Sequence, residues 1–244
     1  MAPEILALDT SRPSHWHAAA LSIELAHACM TPKVLRLRKP QPINAWIFSS
    51  HSEAEVAKLI AKAATWHVAE NKRNRWFRFY DPLVLDLAIR NLGEGQMKNV
   101  LTGVRCWAFL NRWKALQLVE PSLSEKSTRI AAADWKKMAV IGALNHAWIN
   151  ALARGAPMGH SEIFELHDVL VSENAAEFLD AADLDYFTDQ SVRLGISLGR
   201  HPEVKELLAR ASSGGYAKAC QSKSVDFWER IAAETQQMHI IGSP

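Results

Sequence analysis

The chain has 244 residues, of which 48% are hydrophobic and 22% are charged, close to the average of soluble globular proteins. Its 28 basic and 26 acidic residues leave a formal net charge of +2, and this balance argues against nucleic acid as the main partner. The three cysteines are widely spaced and form no Cys-x-x-Cys motif, which favours a reducing compartment. We find no secretory signal and no apolar run long enough to span a bilayer, so we expect a cytoplasmic protein.

The first half of the chain mixes strand and helix patterns. Short apolar runs predict strands, whereas apolar residues spaced by three or four predict helices. Strands are expected at 5–8, 34–37, 43–48, 76–80, 104–110 and 116–119. Helices are expected at 14–27, 52–66 and 81–92.

The first two helices carry signals at their N-termini. Ser52 and the glutamate three residues later form a capping-box pattern, which predicts where the second helix begins. In the first helix Ser14 is expected to be the N-cap. Its spacing predicts a buried face formed by Trp16, Ala20 and Ile23.

The pattern changes after Pro121. A serine-rich stretch at 122–127 is typical of a linker, and only helical patterns follow it. These helices are expected at 128–152, 161–171, 173–182, 184–197 and 224–238, with a further one that begins at 202. The sequence therefore predicts the α+β class, with a mixed α/β domain and a small sheet at 1–121 and an all-α domain at 122–244.

Aromatic residues dominate the segment 76–80, Trp-Phe-Arg-Phe-Tyr. Side chains alternate between the two faces of a strand. A strand here would present Phe77 and Phe79 on one face and Trp76 and Tyr80 on the other.

The residues that follow predict a sharp corner between this strand and a helix. Asp81 is expected at the N-cap, where its carboxylate can accept backbone N–H bonds, and Pro82 at the first helical position. Arg78 is close enough in sequence to form an ion pair with Asp81. Gly93 follows the last apolar residue, as a helix-ending glycine does. Such a corner is a rigid scaffold and requires no catalytic role.

The run Arg78-Phe79-Tyr80-Asp81-Pro82 resembles the signature of the type VI secretion effector adaptors, often called Tap or Tec chaperones. The flanking elements are also similar, with Trp46 in a strand before the signature and Trp107 in a strand after it. The resemblance covers about residues 5–110, and more loosely the helix end at 191–196. Between the first strand and Trp46 this chain is shorter than members of that family.

The resemblance implies a protein that binds an effector toxin in the cytoplasm and promotes its loading onto the VgrG spike. It implies two partners, the effector and the spike protein, and it implies binding to neither nucleic acid nor membrane. It also implies a protein that is not an enzyme, with no cofactor and no catalytic residue. The family-motif residues, to which it gives structural roles, are Trp46, Arg78, Tyr80, Asp81, Pro82 and Trp107.

The nine tryptophans raise the question of a partner surface, because tryptophan is enriched among the residues that anchor interfaces. Most of them lie on faces that we predict to be buried. Trp113, Phe227 and Trp228 are less clearly placed, and we therefore predict them as partner-binding residues.

The alternative function is a small metal-dependent or acid/base hydrolase with an atypical His/Glu site. Its candidate residues are His15, His17, His27, Cys29, His160, Glu162, Glu165 and His167. None of their spacings matches His-Glu-x-x-His or a zinc site, and the chain has no Gly-x-Ser-x-Gly motif. We therefore expect no metal ligands. The basic and aromatic stretch 71–76 would suit nucleic acid, but it precedes a buried strand.

Overall fold

The computed structural model describes residues 4–37, 39, 41–68, 73–121, 132–175, 179–210 and 215–241. The chain divides into two compact units, residues 1–135 and 136–244, which we call the N-terminal and C-terminal units. The serine-rich linker predicted at 122–127 lies outside the described residues. The predicted α+β class is confirmed, because a small antiparallel sheet lies near the N-terminus and helices follow toward the C-terminus.

The N-terminal unit contains short strands between helices. Its helices are α1 (Pro13–Cys29), α2 (Pro32–Leu35), α3 (Glu53–Ala64), α4 (Pro82–Leu92) and α5 (Glu94–Val100), and the division between the units falls within α6 (Ala132–Ala139). Its strands are β1 (Trp46–Phe48), β2 (Thr65–Val68), β3 (Arg73–Trp76), β4 (Cys106–Leu110) and β5 (Leu116–Val119).

The strands form two separate antiparallel sheets. One has three strands in the order β1-β4-β5, in which Ala108 pairs with both Trp46 and Leu118. The other is a two-stranded ribbon of β2 and β3. Because side chains alternate along a strand, Trp107 and Phe109 share the opposite face of the larger sheet, and both are buried. This face is part of the core of the unit.

The start of α3 matches the prediction. The Ser52 Oγ accepts a hydrogen bond from the Glu55 amide at 3.4 Å, and Glu55 Oε2 accepts one from the Ser52 amide at 2.8 Å. The helix ends at Ala64 instead of Trp66, because residues 65–68 pair with β3. A capping box is set by neighbours in sequence, whereas a strand pairing is not.

Two of the predicted strands are wrong. Residues 4–9 are irregular, and Leu6 is exposed. Residues 32–35 form α2, in which Pro32 occupies the first helical position. The fixed φ of proline suits that position, and the short apolar run after it does not distinguish strand from helix.

The N-terminus and the buried face predicted for α1 are also wrong. The helix begins at Pro13 with Arg12 as its N-cap residue. Trp16 and Ile23 are exposed, while Ala26 is buried. Ala20, the third residue of the predicted face, is exposed as well, so the helix approaches the rest of the unit at Ala26 and not through the predicted face.

The described residues of the C-terminal unit form helices joined by turns and irregular segments, without a strand. Its elements are α7 (Ile141–Ala153), α8 (His160–Ser172), α9 (Ala181–Leu194), a 3-10 helix (Ile196–Arg200), α10 (Pro202–Arg210), α11 (Tyr216–Gln221) and α12 (Val225–Ile241). The helix predicted at 128–152 is divided by a turn at Val140, and its first residues lie outside the described part. So does a portion of the helix predicted at 173–182. In the described ranges no helix is long and apolar enough to cross a bilayer.

Gly195 ends α9 and allows a close approach to α12. Its φ is +132°, a conformation that favours glycine. A Cβ at this position would lie 2.8 Å from Thr235 Cγ2, and Thr235 is fully buried. Only glycine fits this contact without strain.

Candidate functional site

The segment around Tyr80 is not the predicted strand, and it does not keep the predicted alternation, because Tyr80 is buried whereas Trp76 is exposed. β3 ends at Trp76, and the residues from Phe77 to Tyr80 form an irregular turn. Phe77 and Phe79 are nonetheless buried. The Phe77 ring lies 3.9 Å from the Trp66 ring between centroids, and the Phe79 ring 5.4 Å from that of Trp107. The segment is therefore anchored by its aromatic side chains instead of by strand pairing.

Trp76 lies on the outer side of the same segment. Its side chain is 56% exposed, in contrast to Tyr80, which is buried. The indole Nε1 donates a hydrogen bond to the Tyr80 hydroxyl at 3.2 Å. This bond holds the exposed indole in one orientation.

Asp81 caps α4, as predicted. Its Oδ1 accepts a hydrogen bond from the Leu83 amide at 3.1 Å, and Arg78 Nη2 donates to its Oδ2 at 3.3 Å. Pro82 occupies the first helical position. Burial raises the pKa of the Asp81 carboxyl, although Arg78 and the helix amides oppose this effect. The corner is therefore built as expected from neighbouring residues.

Arg112 is part of this corner, and sequence reasoning missed it. Its side chain is completely buried, and its Nε donates to Asp86 Oδ2 at 2.6 Å. Its Nη2 donates to the Leu83 carbonyl at 2.9 Å. Burial lowers the pKa of Arg112, and Asp86 opposes that effect. These bonds tie the β4–β5 hairpin to the first turns of α4, across 26 positions in the sequence.

Trp113 follows Arg112 in a tightly bonded hairpin loop. The Oδ1 of Asn111 accepts hydrogen bonds from the amides of Trp113 and Ala115, at 3.0 and 2.9 Å. Lys114 has a φ of +64°. Trp113 is half-buried, and the Arg112 guanidinium lies 5.6 Å from its ring centroid. Only part of this predicted partner-binding residue is accessible.

Phe227 and Trp228 lie in the first turns of α12, and both are half-buried. The Phe227 ring lies between two cations, Lys223 Nζ at 5.1 Å and the Arg230 guanidinium at 5.4 Å from its centroid. Trp228 Nε1 donates to the Cys220 carbonyl at 3.3 Å. These contacts give both aromatic residues a role within the C-terminal unit and leave part of each accessible.

The larger sheet presents apolar side chains on the face opposite Trp107. Trp46 lies on this outer face, and its Nε1 donates to the Ser22 Oγ of α1 at 2.8 Å. The helix therefore covers part of the outer face, on which Ala108 and Leu110 are also buried. The exposed apolar residues of this face of the sheet, which we call the outer apolar surface, are Phe48, Leu116 and Leu118.

Three of the residues proposed for the hydrolase alternative contact backbone groups of the protein. His15 Nδ1 accepts a hydrogen bond from the Asp9 amide at 2.7 Å, and Glu162 accepts one from the Gly159 amide at 2.7 Å at the start of α8. His167 is buried, with Nε2 3.0 Å from the Lys137 carbonyl oxygen. Among the residues that the structure describes, no three His, Cys, Asp or Glu side chains gather as a metal site.

A buried polar network in the C-terminal unit also lacked a sequence signal. Asp183 accepts hydrogen bonds from the amides of Tyr216 and Ala217, both at 2.9 Å. The Tyr216 hydroxyl donates to Gln190 Oε1 at 2.9 Å. Burial raises the pKa of Tyr216 and raises that of the Cys220 thiol to about 11. A thiol with so high a pKa is a poor nucleophile at neutral pH, so the network is suited to holding helices together.

Comparison with known proteins yields no relative for this chain. No protein-family model matches it, and neither a curated protein nor a solved structure is significantly similar to it. The resemblance carried by Arg78 to Pro82 therefore stays a prediction.

Proposed function

We propose that this chain is a cytoplasmic adaptor, without catalytic activity, that binds a type VI secretion effector and promotes its loading onto the VgrG spike. The observation that carries the proposal is the run Arg78-Phe79-Tyr80-Asp81-Pro82, which resembles the adaptor signature. The geometry of this run supports a scaffold role, because Asp81 caps α4 and the two phenylalanines of the segment are buried.

The outer apolar surface supports a protein partner. Leu116 and Leu118 are 59% and 61% exposed, and Phe48 is 52% exposed. Apolar side chains exposed on one face of a sheet are typical of sites that bind other proteins. An effector that buries its own apolar residues against this surface would be kept soluble, because those residues would no longer be exposed to water.

Co-expression tests the proposal. A type VI effector from the source organism is produced alone, with the wild-type chain, and with a Leu116→Asp/Leu118→Asp variant. We expect the wild-type chain to increase the soluble effector and to copurify with it, and the double variant to lose both effects. An effector that is equally soluble and equally secreted without this chain would show that the proposal is wrong.

A matched control variant shows whether the loss comes from the outer apolar surface or from any new charge on the chain. Leu6 is 81% exposed and lies outside the outer apolar surface. Leu6→Asp is expected to retain the effector as the wild-type chain does. Thermal unfolding of all variants confirms that each is folded.

A further inference from the structure

Trp76 and Arg78 project from the segment that the buried Phe77 and Phe79 anchor. Trp76 is 56% exposed, and the side chain of Arg78 is 58% exposed. Tryptophan and arginine are the residue types most often found at the energetic centre of protein interfaces. Two such side chains, displayed two residues apart on an anchored turn, are suited to recognising a partner.

Each of the two side chains forms a hydrogen bond within the segment, and both remain more than half exposed. The bond from Trp76 Nε1 to the Tyr80 hydroxyl holds the indole, and the single bond from Arg78 Nη2 to Asp81 holds the guanidinium. Asp81 is itself engaged by the Leu83 amide at the start of α4. A guanidinium carries further N–H donors beyond the one used here, so Arg78 can bind a second carboxylate.

The charge near this turn is positive. Residues 70–81 contain four basic residues and two acidic residues, Glu70 and Asp81, so the sequence of this segment has an excess of two positive charges. Arg75 is exposed, and its guanidinium lies 5.8 Å from the ring centroid of Trp135. A partner with negative charge complements this surface, whereas a basic partner would be repelled.

We propose that Trp76 and Arg78 form a recognition surface for a carboxylate-rich segment of the protein partner. This inference rests on the proposed adaptor function and names the chemistry of the segment that is bound. The indole covers the apolar part of the segment, and the guanidinium binds a carboxylate through paired N–H donors. An acidic protein segment is favoured over nucleic acid because the net charge of the chain is only +2.

The test uses the full chain and a fluorescein-labelled peptide of alternating glutamate and leucine. The same peptide with lysine in place of glutamate is the control ligand, and a single-stranded oligonucleotide is the second probe. We expect the acidic peptide to bind, with an affinity that falls as salt is added, and the basic peptide not to bind. Arg78→Glu and Trp76→Ala should each weaken binding by at least about tenfold.

Two matched variants serve as controls. Arg105→Glu reverses an exposed charge elsewhere in the N-terminal unit, and Leu6→Ala removes an exposed apolar side chain. Both should bind the acidic peptide within about twofold of the wild-type chain, because surface substitutions away from a site have small effects. Equal binding of the two peptides, tighter binding of the oligonucleotide, or unchanged binding by Arg78→Glu would each overturn the proposal.

Co-expression with the effector tests this inference separately from the proposed function. If Arg78→Glu and Trp76→Ala retain the co-expressed effector as the wild-type chain does, the inference is wrong and the adaptor function stands. If the wild-type chain leaves the effector insoluble, the adaptor function is wrong, and with it the inference.

Discussion

The two units each bury a charged side chain, but they stabilise it in different ways. In the N-terminal unit, Arg112 is balanced by the carboxylate of Asp86. In the C-terminal unit, Asp183 accepts two backbone N–H bonds at the start of α11. In the ion pair, loss of the aspartate leaves the buried charge of Arg112 without a carboxylate. In the C-terminal unit, loss of the aspartate leaves only uncharged amides without an acceptor. The N-terminal unit should therefore be more sensitive to the loss of one carboxylate.

The largest effect is expected from Asp86→Ala. This variant leaves the completely buried Arg112 guanidinium without its carboxylate partner, and breaking such a pair costs about 3–5 kcal/mol. Thermal unfolding followed by tryptophan fluorescence measures the loss. Glu94→Ala is the matched control, since it removes an exposed carboxylate that pairs with Lys98 and should cost less than about 1 kcal/mol. Equal losses in the two variants would contradict a buried ion pair.

Asp183→Ala is expected to have a smaller effect, in the C-terminal unit. It removes two hydrogen bonds to a buried carboxylate and leaves the amides of Tyr216 and Ala217 without this acceptor. We expect a loss of about 2–3 kcal/mol. Hydrogen exchange of the α11 amides is the local measurement. Asp183→Asn keeps one acceptor oxygen and should lose less stability than Asp183→Ala. The opposite order would exclude a role for Asp183 in capping the start of α11.

Asp81→Ala should cost about 1 kcal/mol, the usual value for the loss of an N-cap. The variant removes the acceptor of the Leu83 amide and the partner of Arg78. Urea unfolding at neutral pH measures this difference. A loss as large as that of Asp86→Ala would mean that Asp81 also balances Arg112.

The smallest effect is the pH dependence of Asp81. Its pKa in the folded chain is raised above the ordinary value of 3.8. The folded chain therefore holds this proton to a higher pH than the unfolded chain, and the wild type should lose stability relative to Asp81→Asn as pH rises through the window above 3.8. Urea unfolding of both chains across that window tests the sign. If the wild type instead gains stability relative to Asp81→Asn as pH rises, the arginines lower the pKa of Asp81 by more than burial raises it.

The starts of α3 and α4, which neighbours in sequence determine, could be predicted, whereas the start of α1 could not. Ser52 with its glutamate predicts the start of α3, Asp81 with Pro82 predicts the start of α4, and Gly93 predicts its end, and the structure confirms all three. A cap depends on the backbone amides of the next three residues, so its chemistry is contained in a short stretch. The class α+β followed from the same local patterns, which change from mixed to helical after Pro121.

The tertiary structure decided the rest, because those features depend on residues that are far apart in the chain. No local pattern joins Arg112 to Asp86, or Asp183 to the amide of Tyr216, 33 positions away. For the same reason the buried face of α1 was predicted wrongly, since a helix with apolar residues on several sides does not show which side packs. The aromatic pattern predicts a strand through Tyr80 although the strand ends at Trp76, because ring packing and a sheet bury the same types of side chain.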